Sequence, residues 1–533
     1  MPDNHIDFHE TGYFSRLICD YLDQKDSLKS FYNRFPSLDN FQIQLEEKGN
    51  SFSSAHRKIL KSALENQYEG IALSMLTKEN LEALANSNTF TVTTGHQLNL
   101  FTGPLYFLYK IVATINLSRQ LKKAYPNNHF VPVYWMATED HDFDEISFFN
   151  LNGKKFQWNR STDGAVGDLS TEGLEDVFEY FSKEIGGGMY ADKLRQLFEN
   201  AYLKHQNLTK ATRYLANELF GTFGLVIVDG HDANLKRMFI PQMKNELLLQ
   251  RAAREIQDTA NALDQLGYKV QVNPREINLF YLDEELRERI IEKEGRYYIN
   301  ETTKSFSEEE IVEELNEYPE RFSPNVTMRP LYQEVILPNL CYIGGGGELA
   351  YWLELKSYFK VENITFPILL LRNSALIITH KQQEKLSKLG ITHKHLFLNQ
   401  NTFINRKVRE ISNIDIDFTP QKKHLESQFK ALYELAEKTD KSFLGAVKAQ
   451  EVKQIKGLKK LEKRLLKAQK RKLVDQVNRI TELQNILFPN QSLQERNVNF
   501  SQLYVAYGPD LIKTLLNELD PLHLKFDIIV MSS

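Results

Sequence analysis

The apolar positions of the chain change their period twice between residues 89 and 137. The stretch "TFTVTT" (89–94) is short, rich in β-branched residues and bounded by Gly95, which indicates a buried strand. In "PLYFLYKIVATINLSRQLKKAY" (104–125) apolar residues recur every three and four positions, which predicts a helix with Pro104 in its first turn. "FVPVYWMA" (130–137) predicts a second buried strand. This order predicts a βαβ unit of a parallel sheet.

The same alternation returns further along the chain, separated by polar segments. "FGLVIVDGHD" (223–232) predicts a third strand, and "LCYIGGGGELAYWLELKSYF" (340–359) predicts a strand, a glycine turn and a helix. "FPILLLRNSALIIT" (366–379) predicts one more buried strand. Between them, "LGYKVQV", "INLFYLD" and "GRYYIN" have the alternation of antiparallel strands. The pattern therefore predicts an α/β fold whose parallel sheet is interrupted by insertions.

The last third of the chain has a different pattern. From about His424 to Phe488 it contains no proline, and leucines keep a spacing of three and four. The phase slips around 470–472 and then resumes, which predicts a coiled-coil hairpin or dimer arm with an irregularity at the slip. Pro489 ends this pattern. The tail finishes in "LKFDIIVM", a strand that we expect to fold back onto the body.

These patterns predict nine segments along the chain. They are 1–88, the N-terminal helical part of the core; 89–145, the first half of the core; 146–222, a first insertion; 223–269, core; 270–330, a second insertion; 331–380, core; 381–423, a linking segment; 424–488, the coiled coil; and 489–533, a tail that packs on the core.

Composition narrows the classes of protein that fit. The chain has 533 residues, a formal charge of −4 and two cysteines, so we expect neither a disulfide framework nor a cysteine-rich zinc site. The balanced charge gives no general reason to expect nucleic acid as a partner. The first residues lack the pattern of a signal peptide, and no apolar run approaches the ~18 residues that span a bilayer. We therefore expect a cytoplasmic protein without a membrane partner.

Three predicted strands end in turns that contain histidine, and carboxyl ends of parallel strands are where such sheets bind ligands. The turns are Gly95-His96-Gln97, Glu139-Asp140-His141-Asp142 and Asp229-Gly230-His231-Asp232. At the first turn a glycine permits close approach of a ligand, and the helix that follows would offer free N–H groups to a phosphate. The alternative is that His96 and Gln97 only brace the loop.

The second turn is the more specific signal. Its crowded carboxylates repel one another unless a cation lies among them, such as a substrate amine or a nucleotide's Mg²⁺. The alternative is an acid-rich helix N-terminus, which the helix dipole favours. At the third turn an ordinary Asp-Gly turn with an aspartate cap is favoured over a site.

Two further strand ends and one helix carry candidate residues. "GGGGE" (344–348) lacks the spacing of a dinucleotide or P-loop motif but permits close approach of a ligand. "LRNSA" (371–375) offers polar side chains to the same edge of the sheet. The basic stretch 448–472 contains no aromatic residue for stacking on bases, so a solvated coiled-coil face is favoured over an RNA-binding arm.

Four motifs together resemble the family of BshC, the cysteine-adding enzyme of bacillithiol biosynthesis. They are "TTGHQLNLFTGPLYFLYKI", "VPVYWMATEDHDFDEI", "GGGGELAYW" and "LLRNSALII", and the resemblance spans nearly the whole chain. It implies a Rossmann-like core related to class I aminoacyl-tRNA synthetases and nucleotidylyl transferases. It also implies connecting-peptide insertions and a coiled-coil domain through which the protein forms a homodimer.

The resemblance implies a ligase that joins cysteine to the amine of glucosaminyl-malate, and a bound nucleotide, ATP or ADP. His96 stands where related nucleotidylyl transferases hold ATP phosphates. This turn has one histidine rather than two, and no "KMSKS"-like loop follows, so the sequence leaves open whether ATP is consumed by adenylation. It also leaves open whether a metal is required.

We assign the candidate residues to three roles on this basis. The catalytic set is His96, Asp140, His141 and Asp142; the nucleotide-binding set is Gly95, Gln97, Asn99, Thr102 and Gly103; and the substrate-binding set is Glu139, Gly346, Glu348, Arg372, Asn373 and Ser374. Within the last set, Arg372 would bind a malate carboxylate. Two alternatives remain at this stage: a nucleotidylyl-transferase-like enzyme acting on another amine, and a non-catalytic scaffold that binds a nucleotide or RNA.

Overall fold

The computed structural model describes residues 4–160, 164–283 and 286–532. The predicted segments that include the other residues are therefore described only in part. The larger compact unit comprises residues 5–377 and 494–529. The smaller unit comprises residues 378–493 with residue 4 and residues 530–532.

The strands are numbered in chain order. They are β1 (His5–Ile6), β2 (Thr89–His96), β3 (His129–Met136), β4 (Phe148–Leu151), β5 (Lys154–Gln157), β6 (Val226–Asp229), β7 (Leu279–Asp283), β8 (Leu286–Lys293), β9 (Arg296–Ile299), β10 (Ser305–Ser307), β11 (Phe322–Pro324), β12 (Asn339–Gly344), β13 (Ile368–Leu371), β14 (Ser374–Thr379) and β15 (Phe526–Met531).

The α-helices are numbered in the same way. They are α1 (Phe8–Thr11), α2 (Arg16–Leu22), α3 (Leu38–Ser51), α4 (Ser54–Gln67), α5 (Met75–Ala83), α6 (Tyr106–Ala124), α7 (Phe143–Ile146), α8 (Leu174–Glu184), α9 (Met189–Phe198), α10 (Leu208–Phe220), α11 (Ala233–Arg237), α12 (Ile240–Leu249), α13 (Arg251–Gln265), α14 (Glu308–Glu317), α15 (Arg329–Ile336), α16 (Gly346–Trp352), α17 (Lys356–Val361), α18 (His380–Lys388), α19 (His393–Leu396), α20 (Gln400–Ile411), α21 (Thr419–Ala436), α22 (Lys441–Lys472), α23 (Val474–Leu487), α24 (Gln494–Asn497), α25 (Phe500–Tyr507) and α26 (Asp510–Glu518).

A five-stranded parallel sheet forms the centre of the larger unit, with the order β13-β12-β2-β3-β6. Strand β2 is buried along its whole length, as expected for an inner strand covered on both faces. His96 pairs in register with Met136, and Met136 pairs with Asp229, so the ends of three strands are level. The predicted βαβ unit, β2–α6–β3, and the predicted α/β class are both confirmed.

The insertions contain antiparallel strands, but one predicted strand is absent. Strands β10-β9-β8-β7-β11 form an antiparallel sheet, and β4 pairs with β5. "LGYKVQV" (266–272), predicted as a strand, has no strand structure. Its backbone N–H groups at Gln271 and Val272 donate to the carboxylate of Glu354, at 2.7 and 3.4 Å, instead of to a neighbouring strand. Alternation in the sequence could not reveal that side-chain acceptor.

The predicted strand in 366–379 is two strands of different sheets. β13 ends at Leu371 in the parallel sheet, and β14 begins at Ser374 in a three-stranded sheet of order β1-β15-β14. The intervening Arg372 and Asn373 turn the chain from one sheet to the other. The expectation that "LKFDIIVM" folds back as a strand is confirmed, because β15 lies between β1 and β14.

The smaller unit contains the long helices that the leucine spacing predicted. Tyr433 on α21 donates to Glu451 on α22, at 2.7 Å, and Lys422 pairs with Glu462, so the two helices form an antiparallel hairpin. α22 ends at Lys472 and α23 begins at Val474, which places a break where the heptad phase slips. Within the described part of the chain, every helix is too short or too polar to cross a lipid bilayer.

Candidate active site

A cavity of about 460 Å³ opens at the carboxyl ends of the parallel strands. The turns after β2, β3, β6 and β12 all contribute to its wall: the lining includes 95–97, 136–140, Gly230 and 345–348. At Gly230 an added Cβ would lie 2.6 Å from the Trp135 ring, so only glycine fits there. The turns that the sequence placed on one edge of the sheet are therefore brought together around one cavity.

His96 lies at the end of β2 with a neutral ring. Only 6% of the residue is exposed, and the ring packs edge-on against Tyr106, with centroids 5.4 Å apart. Burial and the nearby charges of Lys110 and Arg372 hold the pKa of His96 well below its ordinary value. Its buried Nε2 has no hydrogen-bond partner among the described residues. The cavity wall thus includes a neutral imidazole with one nitrogen left to bond.

Asp140 is a half-buried residue of the acidic turn. Its carboxylate accepts hydrogen bonds from the Gln97 side chain at 2.9 Å and from the His141 backbone N–H at 2.8 Å. Burial would raise the pKa of Asp140, but the His141 side chain, the two hydrogen bonds above and the charge of Arg287 hold it well below the ordinary value. Asp140 is therefore an anion at neutral pH, oriented at the cavity wall by Gln97 of the neighbouring turn.

Glu139 is the buried end of the same turn. Its Oε1 lies 2.6 Å from Lys236 Nζ and 3.0 Å from His231 Nδ1, and its Oε2 accepts from Ser323 Oγ at 3.0 Å. Burial opposes ionisation, but Lys236 and His231 outweigh it and lower the pKa of Glu139 to about 2. His231, which the sequence analysis favoured as an ordinary turn residue, is thus a partner of Glu139.

The ion pair between His231 and Glu139 predicts a pH-dependent stability. Burial would lower the pKa of His231, but the hydrogen bond and charge of Glu139 raise it above 6.5. The stabilisation is therefore complete below pH 6.5 and is lost as pH rises through the folded-state pKa. We expect His231→Gln to lower the free energy of unfolding by about 1.5–3 kcal/mol near pH 6 and by less at pH 9. Urea denaturation of both proteins across this range measures the difference.

A control separates this pair from exposed histidines. His9 also lies 2.9 Å from a carboxylate, that of Asp23, but both side chains are 52% exposed, so His9→Gln should change stability little. A deficit of His231→Gln that is constant from pH 6 to pH 9 would contradict the assignment.

A lysine and a glutamate form an ion pair on the other side of His96. Lys110 projects from the buried helix α6, donates to the Gly95 carbonyl at 2.7 Å and lies 2.7 Å from Glu348 Oε2. Glu348 also accepts from the Gly345 N–H at 2.7 Å and from the Tyr342 hydroxyl at 3.0 Å. Burial would raise the pKa of Glu348, but Lys110 lowers it overall. A lysine in the otherwise apolar first half of this helix was a signal that the sequence offered and that the site predictions missed.

Arg372 lines the cavity and also forms an ion pair with Glu495 of the C-terminal tail. Its Nη2 donates to Glu495 Oε1 at 2.7 Å, and Glu495 also accepts from Ser374 Oγ at 3.2 Å. Asn373 donates to the Asp520 carbonyl at 2.9 Å. Asn373 and Ser374 are therefore used inside the fold and do not line the cavity, whereas Arg372 Nε is buried without a partner among the described residues.

Basic side chains outnumber acidic ones in the cavity wall. The described lining contains five basic residues and three acidic ones: Lys110, Arg287, Arg329, Arg372 and Arg496, against Glu139, Asp140 and Glu348. Arg329 lies over the rings of Trp135 and Tyr342, at 5.9 and 5.6 Å. The cavity therefore suits a ligand that carries several negative charges and also one positive group, which Asp140 would hold.

The remaining predicted residues lie outside the cavity lining. The N–H groups of Thr102, Gly103 and Leu105 donate to the carbonyls of Asn99, Leu100 and Val498, so the predicted free N–H groups are not available there. Gly103 has φ +63°, and an added Cβ would lie 2.7 Å from Asn99.

The two outer residues of the acidic turn are similarly placed. The His141 side chain is 60% exposed and lies 3.0 Å from Arg287, and Asp142 accepts from the Glu145 N–H as the cap of α7. Neither lines the cavity.

Comparison with known proteins agrees with this architecture. Residues 1–373 match the model of the BshC N-terminal Rossmann-like domain of bacillithiol biosynthesis, and residues 375–531 match that of the BshC C-terminal coiled-coil domain. Relatives named "Putative cysteine ligase BshC" include one from Christiangramia forsetii, 61% identical over 99% of both chains, and one from Flavobacterium johnsoniae, 57% identical over 100% of both. One from Bacillus cereus is 26% identical over 94% of this chain and 95% of its own. The chain belongs to the BshC family.

Proposed function

We propose that this protein is a ligase of bacillithiol biosynthesis that forms an amide between cysteine and the amine of glucosaminyl-malate. The observation that carries the proposal is the division of charge around one cavity. Carboxylates of Asp140 and Glu139 lie at the end of β3, where Arg287 is the basic lining residue near them. The other basic side chains lie by neighbouring strands: Lys110 donates to the Gly95 carbonyl of β2, Arg329 lies over Tyr342 of β12 and Arg372 follows β13. The relatives' name supplies the reaction class.

The two sides of the cavity suit the two ends of this substrate. Glucosaminyl-malate carries two carboxylates at one end and an amine at the other. The guanidinium group of Arg329 suits planar binding of one carboxylate. Arg372, whose Nη atoms donate within the fold, would donate to the other carboxylate through its unpartnered Nε. Asp140, held as an anion, would bind the ammonium form of the sugar amine and orient the amine towards the cysteine carboxyl group.

His96 would act at the cysteine carboxyl carbon that the sugar amine attacks. A neutral imidazole with a free nitrogen donates a hydrogen bond to a developing oxyanion, or accepts a proton from the attacking amine, without first losing a charge. Its lowered pKa keeps the ring in this form at neutral pH.

We also propose that a nucleotide binds on the basic side of the same cavity. The ammonium group of Lys110 and the loop 345–347 would hold phosphate oxygens. ATP, when bound, would supply the activation of the cysteine carboxyl group. This assignment moves the nucleotide away from Thr102 and Gly103, whose N–H groups bond within the protein.

We also propose that the smaller unit is the arm through which two copies of the chain form a dimer. Helices α21 and α22 carry exposed apolar side chains that a second copy would cover, among them Leu432, Leu435, Phe443, Leu444, Val452 and Leu461. A cytoplasmic location is part of the same proposal.

Incubation of the purified protein with glucosaminyl-malate and cysteine, with ATP, with ADP or with no nucleotide, tests the function by mass spectrometry. We expect the amide product, heavier than glucosaminyl-malate by cysteine less one water, in the ATP reaction. Free thiols would be blocked before detection so that disulfide adducts are not counted. If every reaction leaves glucosaminyl-malate unchanged while the protein is folded, the proposed function is wrong.

A further inference from the structure

Three side chains with metal-binding atoms meet where the two ends of the chain pair. The donor atoms of His5, His523 and Asp527 all lie within 4.8 Å of one another. His5 Nδ1 is 2.9 Å from Asp527 Oδ1, and the rings of His5 and His523 meet edge-on with centroids 4.4 Å apart. All three residues belong to the larger unit, and none lines the cavity described above.

The backbone places these groups together. His5 lies directly opposite Asp527 in the antiparallel pairing of β1 and β15. His523 comes from the turn before β15, where its N–H donates to the Asp520 carbonyl at 3.3 Å. Leu524 follows with φ +53°, in the left-handed region that a leucine rarely adopts. The reversal at Leu524 belongs to the turn that brings the His523 ring back against His5.

Burial distinguishes this cluster from a chance surface contact. The Asp527 side chain is 6% exposed and that of His5 is 49% exposed, so a buried carboxylate lies behind solvent-accessible imidazoles. The Asn373 side chain hydrogen-bonds to Asp527 and thereby orients it. Carboxylates that ligate metals in proteins are usually held by a second residue in this way. The nearby cation Lys525 lies 3.5 Å from Asp7.

The donor set selects the kind of ion. Two imidazole nitrogens and one carboxylate oxygen suit zinc and similar divalent transition metals, which take three protein ligands and one water, whereas calcium and magnesium prefer oxygen ligands. Bonds of about 2.0–2.1 Å in a tetrahedron place the ligand atoms about 3.4 Å apart. The 2.9 Å contact between His5 and Asp527 is close to that separation, and the donor atoms of all three residues lie within 4.8 Å of one another, so the observed arrangement is near that of a bound ion.

We propose that His5, His523 and Asp527 bind one divalent transition-metal ion of the zinc type, which fastens strand β1 to strand β15. Strand β1 contains two residues, so its pairing with β15 is short. A metal bond from His5 to a turn and a strand more than 500 positions away would hold the N-terminal segment in place. This inference concerns a site separate from the proposed ligase cavity.

Titration with zinc tests the proposal directly. The full chain, freed of any affinity tag and stripped with EDTA that is then removed, would be titrated with Zn²⁺ against a chromophoric chelator. We expect wild type to bind one Zn²⁺ per chain. The zinc affinity of His523→Ala should be lower by about tenfold or more. Zn²⁺ should raise the melting temperature of wild type and leave that of His523→Ala unchanged.

A second histidine–aspartate pair provides the matched control for the zinc titration. His9 and Asp23 have the same 2.9 Å separation but are not among the three clustered residues, so His9→Ala should bind Zn²⁺ as wild type does. His523 is exposed, and equal melting temperatures of metal-free wild type and His523→Ala would show that the variant folds. Equal zinc affinity in wild type and His523→Ala, or no zinc binding by wild type, would overturn the site. Binding without a rise in melting temperature would overturn the fastening role.

Discussion

Asp140→Asn is expected to reduce kcat/KM for glucosaminyl-malate by about 10²-fold or more while leaving the fold intact. Asp140 is the anionic side chain that the turn after β3 presents to the cavity, and Gln97 and the His141 N–H hold it in position. Asparagine keeps one oxygen that accepts from the His141 N–H, and its amide NH2 can donate to the Gln97 side-chain oxygen once the Gln97 amide turns over, but it lacks the charge that would bind the substrate ammonium. The loss of a group that both orients an amine and assists its deprotonation costs a factor of this size.

Asp144→Asn is the control for this prediction. Asp144 lies four residues further along the same acidic segment, is exposed and does not line the cavity. Its removal changes the net charge by the same amount, so a general electrostatic effect would appear in both variants. If Asp140→Asn stays within about twofold of wild type, or if both variants lose activity equally, Asp140 does not have the proposed role.

Glu495→Gln is expected to lower the free energy of unfolding by about 3–5 kcal/mol, the usual effect of leaving one partner of a buried ion pair uncompensated. Arg372 and Glu495 are 4% and 0% exposed, and Glu495 also accepts hydrogen bonds from Ser374 and from the Ala375 N–H. When Glu495 loses its charge, the guanidinium of Arg372 remains buried without the carboxylate that neutralises it. Chemical denaturation, followed by the change in helical signal, measures the loss.

The double variant Arg372→Met/Glu495→Met shows whether the loss comes from the unpaired charge. Removing both charges replaces the pair with apolar side chains, so most of the stability lost in Glu495→Gln should return. Asp510→Asn is the surface control, because Asp510 and its partner Lys513 are 68% and 64% exposed and such pairs contribute about 0–1 kcal/mol. A Glu495→Gln variant as stable as Asp510→Asn would contradict the proposed energetic importance of the pair.

Ligase activity and stability should respond differently to the double substitution of Arg372 and Glu495. Arg372 lines the cavity, so the double variant should recover stability without recovering activity on glucosaminyl-malate. A double variant that regains both would show that Arg372 supports the fold and does not bind substrate. Together with Asp140→Asn, this experiment separates the basic side of the cavity from its acidic side.

The amino-acid sequence by itself determined the local elements of the core. The periods of "TFTVTT", the helix after Pro104 and "FVPVYWMA" predict β2, α6 and β3, because buried strands and helices repeat at different intervals. These predicted elements fix where each strand ends. The strand ends in turn place His96, Gln97 and Asp140 at the cavity. The leucine phase slip likewise predicted an irregularity around 470–472, and the helix breaks at the next residue, because heptad spacing is a local property.

Only the tertiary structure decided which polar groups remain available at those strand ends. The N–H groups of Thr102 and Gly103 bond within their own turn, and that of Leu105 bonds to Val498, nearly 400 residues away. Glu495 neutralises Arg372 from a tail segment with no motif of its own, and Lys236 does the same for Glu139. A hydrogen bond or an ion pair between distant segments depends on how the sheets and helices pack. The sequence pattern therefore located the edge of the sheet, whereas long-range packing set the charges at the cavity.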